Sequence, residues 1–273
     1  MDWIRWKLHK KVNLNKNMQE FLVNLVKKAE KIFNQKHKSI KHKSPNDLLS
    51  EADLKLNEFF VNSIKNEYPD ARIIAEESDN DALTDELTFV VDPLDGTCNY
   101  SMGIPLCGIQ IAVLKKKEAV LSIIYLPNTK ELFVAKKDEG LFLNRKKLEV
   151  NKNIAHVDGV LILSDFYKEE KDITLDNQYK LVEELRLSFL KTRLFGAACV
   201  DFSYLVTSKA QAYICYYRNI WDILPGLLMA KEAGLVYKRL NGEDYKIDDE
   251  SLVIANNQET LDLILNKAKK FVK

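Results

Sequence analysis

The run Phe89-Val90-Val91 leads directly into Asp92-Pro93-Leu94-Asp95-Gly96-Thr97, and no other stretch restricts the fold as much. Three apolar residues, two of them β-branched, have the chemistry and length of a short strand. A buried strand that delivers two carboxylates around a proline is an unusual thing to build for stability. Carboxylates gathered at one strand end repel each other and lose hydration, so they need a cation. Hard divalent ions with all-oxygen shells suit such a site, and Mg²⁺ is the usual occupant where phosphate is also present. Gly96-Thr97 adds a close backbone approach followed by N–H groups at a turn or helix start, which is what a phosphate needs. Taken alone, D-x-x-D-G is equally an acidic β-turn on a surface.

Two further features bear on that choice. Arg72-Ile73-Ile74-Ala75 is a second strand, and it ends in Glu76-Glu77. If the two strands lie side by side, their acids converge on one sheet edge. Trp221-Asp222 opens a helix expected over residues 223–233, with Pro225-Gly226 in its first turn, where a missing N–H does no harm. By itself Asp222 is simply a good N-cap.

Apolar residues recur at helical spacing from Met18 to Phe33, and again from Asp47 to Tyr68, where Pro69 ends the pattern. The basic stretch 36–43 between them holds His37 and His42, but flanking lysines repel a metal ion and make this a solvated loop or hairpin. Strands at 108–114, 119–125, 132–135 and 140–143 form an antiparallel meander. Beyond about residue 150, strands (159–163, 193–195, 212–215, 235–237, 252–255) alternate with helices (175–187, 197–208, 223–233, 258–272). The change of pattern sets three units: an extension over 1–17, an N-terminal domain with an antiparallel sheet over 18–150, and a C-terminal α/β domain over 151–273.

Composition narrows the function classes. Forty-one Lys and Arg against 40 Asp and Glu leave a net charge of +1, which argues against a wholesale nucleic-acid binder. No apolar run approaches the roughly 20 residues of a membrane span. Cys98, Cys107, Cys199 and Cys215 stand far apart with no C-x-x-C pair, which points to free thiols in a reducing compartment, the cytoplasm. The start of the chain, MDWIRWKLHKK, lacks a signal peptide's apolar core. It reads either as a basic amphipathic element at a membrane surface, as an extension packed on its own domain or a partner, or as an optional start before Met18.

Taken together, Asp47-Leu48-Leu49-Ser50 with Asp53, Ala75-Glu76-Glu77-Ser78, Asp92-Pro93-Leu94-Asp95-Gly96-Thr97, Gly196-Ala197-Ala198, Trp221-Asp222 and Glu232-Ala233-Gly234 resemble one family. This is the inositol monophosphatase family of lithium-sensitive, magnesium-dependent phosphatases, which also includes fructose-1,6-bisphosphatases and nucleotide 3'-phosphatases. The motifs fall in the family's order and cover residues 18–272. The resemblance implies an α+β fold, a layered αβαβα sandwich with the site between its two domains, commonly a homodimer.

Carried over by position, it implies that Glu76, Asp92 and the Leu94 carbonyl hold a first Mg²⁺, and that Asp92, Asp95 and Asp222 hold a second. Glu76 and Thr97 would orient the attacking water, with Asp47 accepting a hydrogen bond from Thr97. Backbone N–H groups of Gly96 and Thr97 would hold the phosphate, with Asp95, Gly196, Ala197, Ala198, Arg218 and Asp222 completing the substrate site. The implied chemistry is two-metal hydrolysis without a phosphoenzyme. Cys98 has no adjacent His to activate it and is a bystander.

Departures from the family bear on substrate. Members that read inositol carry a glutamate seven residues before the Asp of Trp-Asp, and here that position is Cys215. Arg193 and Arg218 suit a second phosphate. The expected function is therefore a phosphatase of a small phosphorylated polyol or sugar, with a fructose-1,6-bisphosphatase or a nucleotide 3'-phosphatase as alternatives within the family. A regulatory protein that binds the transcription machinery is the alternative of another class, with the basic N-terminus as its docking arm.

Overall fold

The computed structural model describes residues 2–35, 40–44, 47–78, 82–166, 172–216, 219–247 and 249–272, with the backbone only for 2–16, 40, 43, 44 and 47. The chain begins with a long helix, α1 (Asp2–Phe33), and a small hairpin of β1 (Ile40–Ser44) and β2 (Asp47–Ser50). The helix thus starts well before Met18, where the apolar periodicity becomes clear, and His42 lies on a hairpin strand. His37 lies outside the described residues.

Helix α2 (Glu51–Glu67) starts later than the periodicity suggests, because Ser50 stops the preceding strand. The Ser50 hydroxyl accepts the N–H groups of Ala52 and Asp53, and Asp53 returns the bond to the Ser50 N–H, a capping box. Next come β3 (Arg72–Ala75), β4 (Thr88–Asp95), the short α3 (Thr97–Ser101), β5 (Gly108–Lys115), β6 (Glu118–Leu126), β7 (Glu131–Lys136), β8 (Gly140–Leu143) and β9 (Lys146–Lys147). These strands form a seven-stranded sheet in sequence order. Its β3–β4 pair is parallel, and the rest is the antiparallel meander.

The remainder supplies β10 (Val160–Leu163), α4 (Leu175–Leu185), β11 (Lys191–Arg193), α5 (Ala198–Val206), β12 (Ala212–Cys215), α6 (Ile220–Glu232), β13 (Val236–Lys238), β14 (Leu252–Ala255) and α7 (Gln258–Ala268). Five strands form a second sheet in the order β11-β10-β12-β14-β13. It is mixed rather than parallel, because β14 runs antiparallel to both of its neighbours.

Strand alternation then stacks the layers. Phe89, Val91, Ile109, Ile111 and Ile123 turn one face of the large sheet towards Met18, Leu22 and Val26 of α1 and Leu56 and Phe60 of α2. The opposite face, with Ile124 and Phe133, packs on α5 and α6, which also meet Tyr213, Cys215 and Ile254 of the small sheet. Beyond that sheet, Leu161, Ile214 and Val253 bury Leu181 of α4 and Leu261 of α7. The result is helix, sheet, helix, sheet, helix: the αβαβα sandwich. The central helices approach closely, since a Cβ on Gly226 of α6 would lie 2.0 Å from the Phe202 ring of α5. Among the described residues no helix is long and apolar enough to cross a membrane.

Candidate metal centre and active site

Parallel pairing puts the ends of β3 and β4 together, with Ala75 opposite Val91 and the Glu76 N–H donating to the Val91 carbonyl at 3.3 Å. Glu76 and Asp92 therefore leave the same sheet edge. Asp92 and Asp95 are an odd number of residues apart and would face opposite sides of a regular strand. A bulge corrects this: Asp92 pairs with Gln110, whereas Asp95 pairs with Gly108. One extra residue is absorbed around Pro93, which has no N–H to give the ladder, and both carboxylates reach the face covered by α5 and α6.

The helices complete the cluster. Asp95 Oδ2 accepts the Cys199 N–H in the first turn of α5, the positive end of that helix. Asp222 is not the N-cap of α6. The helix begins at Ile220, Asn219 caps it, and Asp222 turns back to accept the Asn219 N–H at 3.1 Å. One carboxylate oxygen from each of Asp92, Asp95 and Asp222 lies within 4.8 Å of the others. Asp92 is 1% exposed, and its Oδ1 accepts the Leu94 N–H at 3.1 Å. Burial, and then the charges of Glu76, Asp95, Asp222 and Asp53, push its carboxyl well above the usual range.

Thr97 opens α3 behind Gly96, which holds φ at 84°. A Cβ on Gly96 would come within 2.9 Å of the Ala197 Cβ, so glycine lets the starts of α3 and α5 meet. Asn99 ties the same two segments, donating to the carbonyls of Leu106 at 2.8 Å and Phe195 at 2.7 Å.

The partner of Thr97 corrects the sequence reading. Its Oγ1 lies 2.8 Å from Asp53 Oδ1 and 3.1 Å from the Leu94 carbonyl. The carboxylate on Thr97 is thus Asp53, buried in the first turn of α2. Asp47, expected there, starts β2, and its side chain lies outside the described residues. The Ser50-x-x-Asp53 spacing is a capping-box signal that fixes Asp53 at this helix start.

Arg218 lies outside the described residues. Cys215 is fully buried in the core between the sheets. Burial, followed by nearby Asp95, pushes the Cys107 thiol up to about 12 and raises that of Cys199 as well. Neither thiol is a nucleophile at neutral pH.

The profile of the inositol monophosphatase family matches residues 11–273. The chain belongs to that family. The match reaches back past Met18, into the segment expected to lie outside it. An inositol monophosphatase of Mesembryanthemum crystallinum is 29% identical over 80% of this chain and 83% of its own. A fructose-1,6-bisphosphatase/inositol-1-monophosphatase of Aquifex aeolicus is 28% identical over 87% and 88%. A Nus factor SuhB of Xylella fastidiosa is 31% identical over 76% and 74%. Among solved structures, a Thermotoga maritima IMPase superposes with a TM-score of 0.83 at 22% identity, over 93% of this chain and 97% of that one. An IMPase/NADP phosphatase complexed with Mg²⁺ and phosphate gives 0.79 at 21% identity, over 92% and 95%. These last two show the shared fold.

Proposed function

We propose that this chain is a Mg²⁺-dependent phosphomonoester hydrolase acting on a small phosphorylated polyol or sugar. The observation that carries the reading is Asp92, buried among Glu76, Asp95, Asp222 and Asp53, which all disfavour its charged form. A divalent cation reverses that balance, and an all-carboxylate set with a nearby carbonyl matches a hard ion. Glu76, Asp92 and the Leu94 carbonyl would hold one ion, and Asp92, Asp95 and Asp222 a second. Ions bound there would lower the pKa of the attacking water and neutralise charge on the leaving oxygen.

The remaining work falls to side chains and backbone. Thr97 has one hydroxyl proton, and the nearer acceptor is Asp53. With that proton committed, the Thr97 lone pairs accept from the attacking water and, with Glu76, orient it. N–H groups of Gly96 and Thr97 and the segment Gly196-Ala197-Ala198 at the start of α5 would hold the phosphate. The substrate within the class is read by residues around Arg218. Release of inorganic phosphate from a panel of phosphorylated metabolites tests the reading, and a panel that includes fructose 1,6-bisphosphate and a nucleoside 3',5'-bisphosphate separates it from the two alternatives.

Further parts of the reading are a cytoplasmic setting, Li⁺ sensitivity in keeping with the family, and a homodimer. The dimer is supported by exposed Leu187, Leu190 and Leu194 around the edge strand β11. The Asn99–Phe195 bond brings α3, followed by exposed Met102 and Ile104, to the same side.

A second reading, a regulatory role at the transcription machinery, is favoured by the relatives named Nus factor SuhB. Pull-down with and without residues 1–17 tests it.

A further inference from the structure

Gln110 is fully buried, and neither atom of its carboxamide has a hydrogen-bond partner among the described residues. Leaving a buried amide unsatisfied is costly, so a buried Gln without a task is rare. Its place in the sheet supplies one. Gln110 sits directly across the β4–β5 ladder from Asp92. Opposed residues of an antiparallel pair project to the same face, with Cβ atoms roughly 5 Å apart. The amide therefore leaves the sheet on the same face as the carboxylate that both proposed metal sites share.

The surroundings add polar groups without adding a partner. On β6, Ser122 pairs with Ala112, two residues along from Gln110, and its buried hydroxyl is also unpartnered among the described residues. Helix α6 covers this face, with Leu224 on Val90 and Ala112. Ile223 and Leu228 of α6 and Ile124 and Phe133 of the sheet pack together on this face.

We propose that Gln110 is a positioning residue for Asp92: its carboxamide N–H holds the Asp92 carboxylate through one bridging water, in the orientation that binds divalent cations. This rests on the metal reading proposed above and extends it to a residue outside the acidic set. Donors behind a metal-binding carboxylate fix its orientation, and losing one typically weakens metal affinity about 10- to 100-fold.

The test uses the full chain and Mg²⁺ alone, with no substrate. Melting temperature is followed against Mg²⁺ concentration for the wild type, Gln110→Leu and the unbranched Gln110→Met, so that one variant remains if the other fails to fold. The expected result is a roughly 10- to 100-fold rise in the Mg²⁺ concentration giving half of the stabilisation. In EDTA, the variants should melt close to the wild type, because Leu and Met fill nearly the same buried volume as Gln. A variant that keeps the wild-type Mg²⁺ dependence overturns the proposal, and so does one that melts lower in EDTA while responding normally to Mg²⁺, since Gln110 would then be structural. A wild type with no Mg²⁺ response overturns the metal reading itself, which is a different outcome from a normal wild type with indifferent variants.

Discussion

Asp53 holds Thr97 with one oxygen, at 2.8 Å, and takes the Ser50 N–H with the other, at 2.7 Å. A single carboxylate therefore starts helix α2 and fixes the hydroxyl at the start of α3. Asp53→Asn keeps the shape and removes the charge, so turnover should fall by about 10²-fold or more while the fold persists. Asp47→Asn should stay within a few-fold of wild type. Steady-state kcat for the two variants checks this, and equal losses would return the role to Asp47.

The raised Asp92 carboxyl has a consequence for stability. A carboxyl whose folded-state pKa lies above its unfolded value binds more protons folded than unfolded, so its contribution falls as pH rises between those two values. Metal-free protein should lose stability from this group on going from the ordinary carboxylate range towards neutrality, and Mg²⁺ should restore it. Calorimetry in EDTA over that range should show the slope, and Asp92→Asn should flatten it and melt higher than wild type near neutral pH. A variant that melts lower there would contradict the assigned repulsion.

Substrate choice is expected to favour a second anionic group. Cys215 is buried and offers only a weak sulfur acceptor at the position where the family resemblance implies a glutamate for reading inositol. Inositol 1-phosphate should be hydrolysed with lower kcat/KM than at least one bisphosphate, such as fructose 1,6-bisphosphate. Arg218→Ala should selectively lower activity on the bisphosphate. An unchanged ranking, with inositol 1-phosphate the best substrate, would refute this.

The exposed leucines around β11 predict association. Light scattering on the purified chain should give twice the monomer mass, and Leu194→Asp should shift it to monomer without lowering the melting temperature of the individual fold by much. A monomeric wild type at micromolar concentration would remove the homodimer from the account.

Much of this molecule is legible in its sequence, for identifiable reasons. The strands from Arg72 to Leu143 show because β-branched runs alternate with turn residues, and Glu76 and Asp92 converge because both end strands. Other features depend on long-range register. The bulge at Pro93 that turns Asp95 to the same side as Asp92 appears only when β4 is laid against β5. The Thr97–Asp53 bond spans two helix starts that no periodicity relates. Asp222 reads as an N-cap because Trp221-Asp222 precedes an apolar run, yet Asn219 takes that position and Asp222 bends back from the first turn. The β1–β2 hairpin is half legible: the basic stretch reads as a loop or hairpin, but its second strand lies within a helical pattern. It forms because Ser50, as a cap, stops α2 from extending towards Asp47.

Phosphate release measured against Mg²⁺ concentration, for wild type and Asp92→Asn on the best substrate of the metabolite panel, tests the central claim most directly. The account predicts Mg²⁺-dependent hydrolysis by the wild type and a loss of several orders of magnitude in the variant, with both proteins folded. Near wild-type turnover by Asp92→Asn, or no release from any phosphomonoester by a folded, Mg²⁺-saturated wild type, would contradict it.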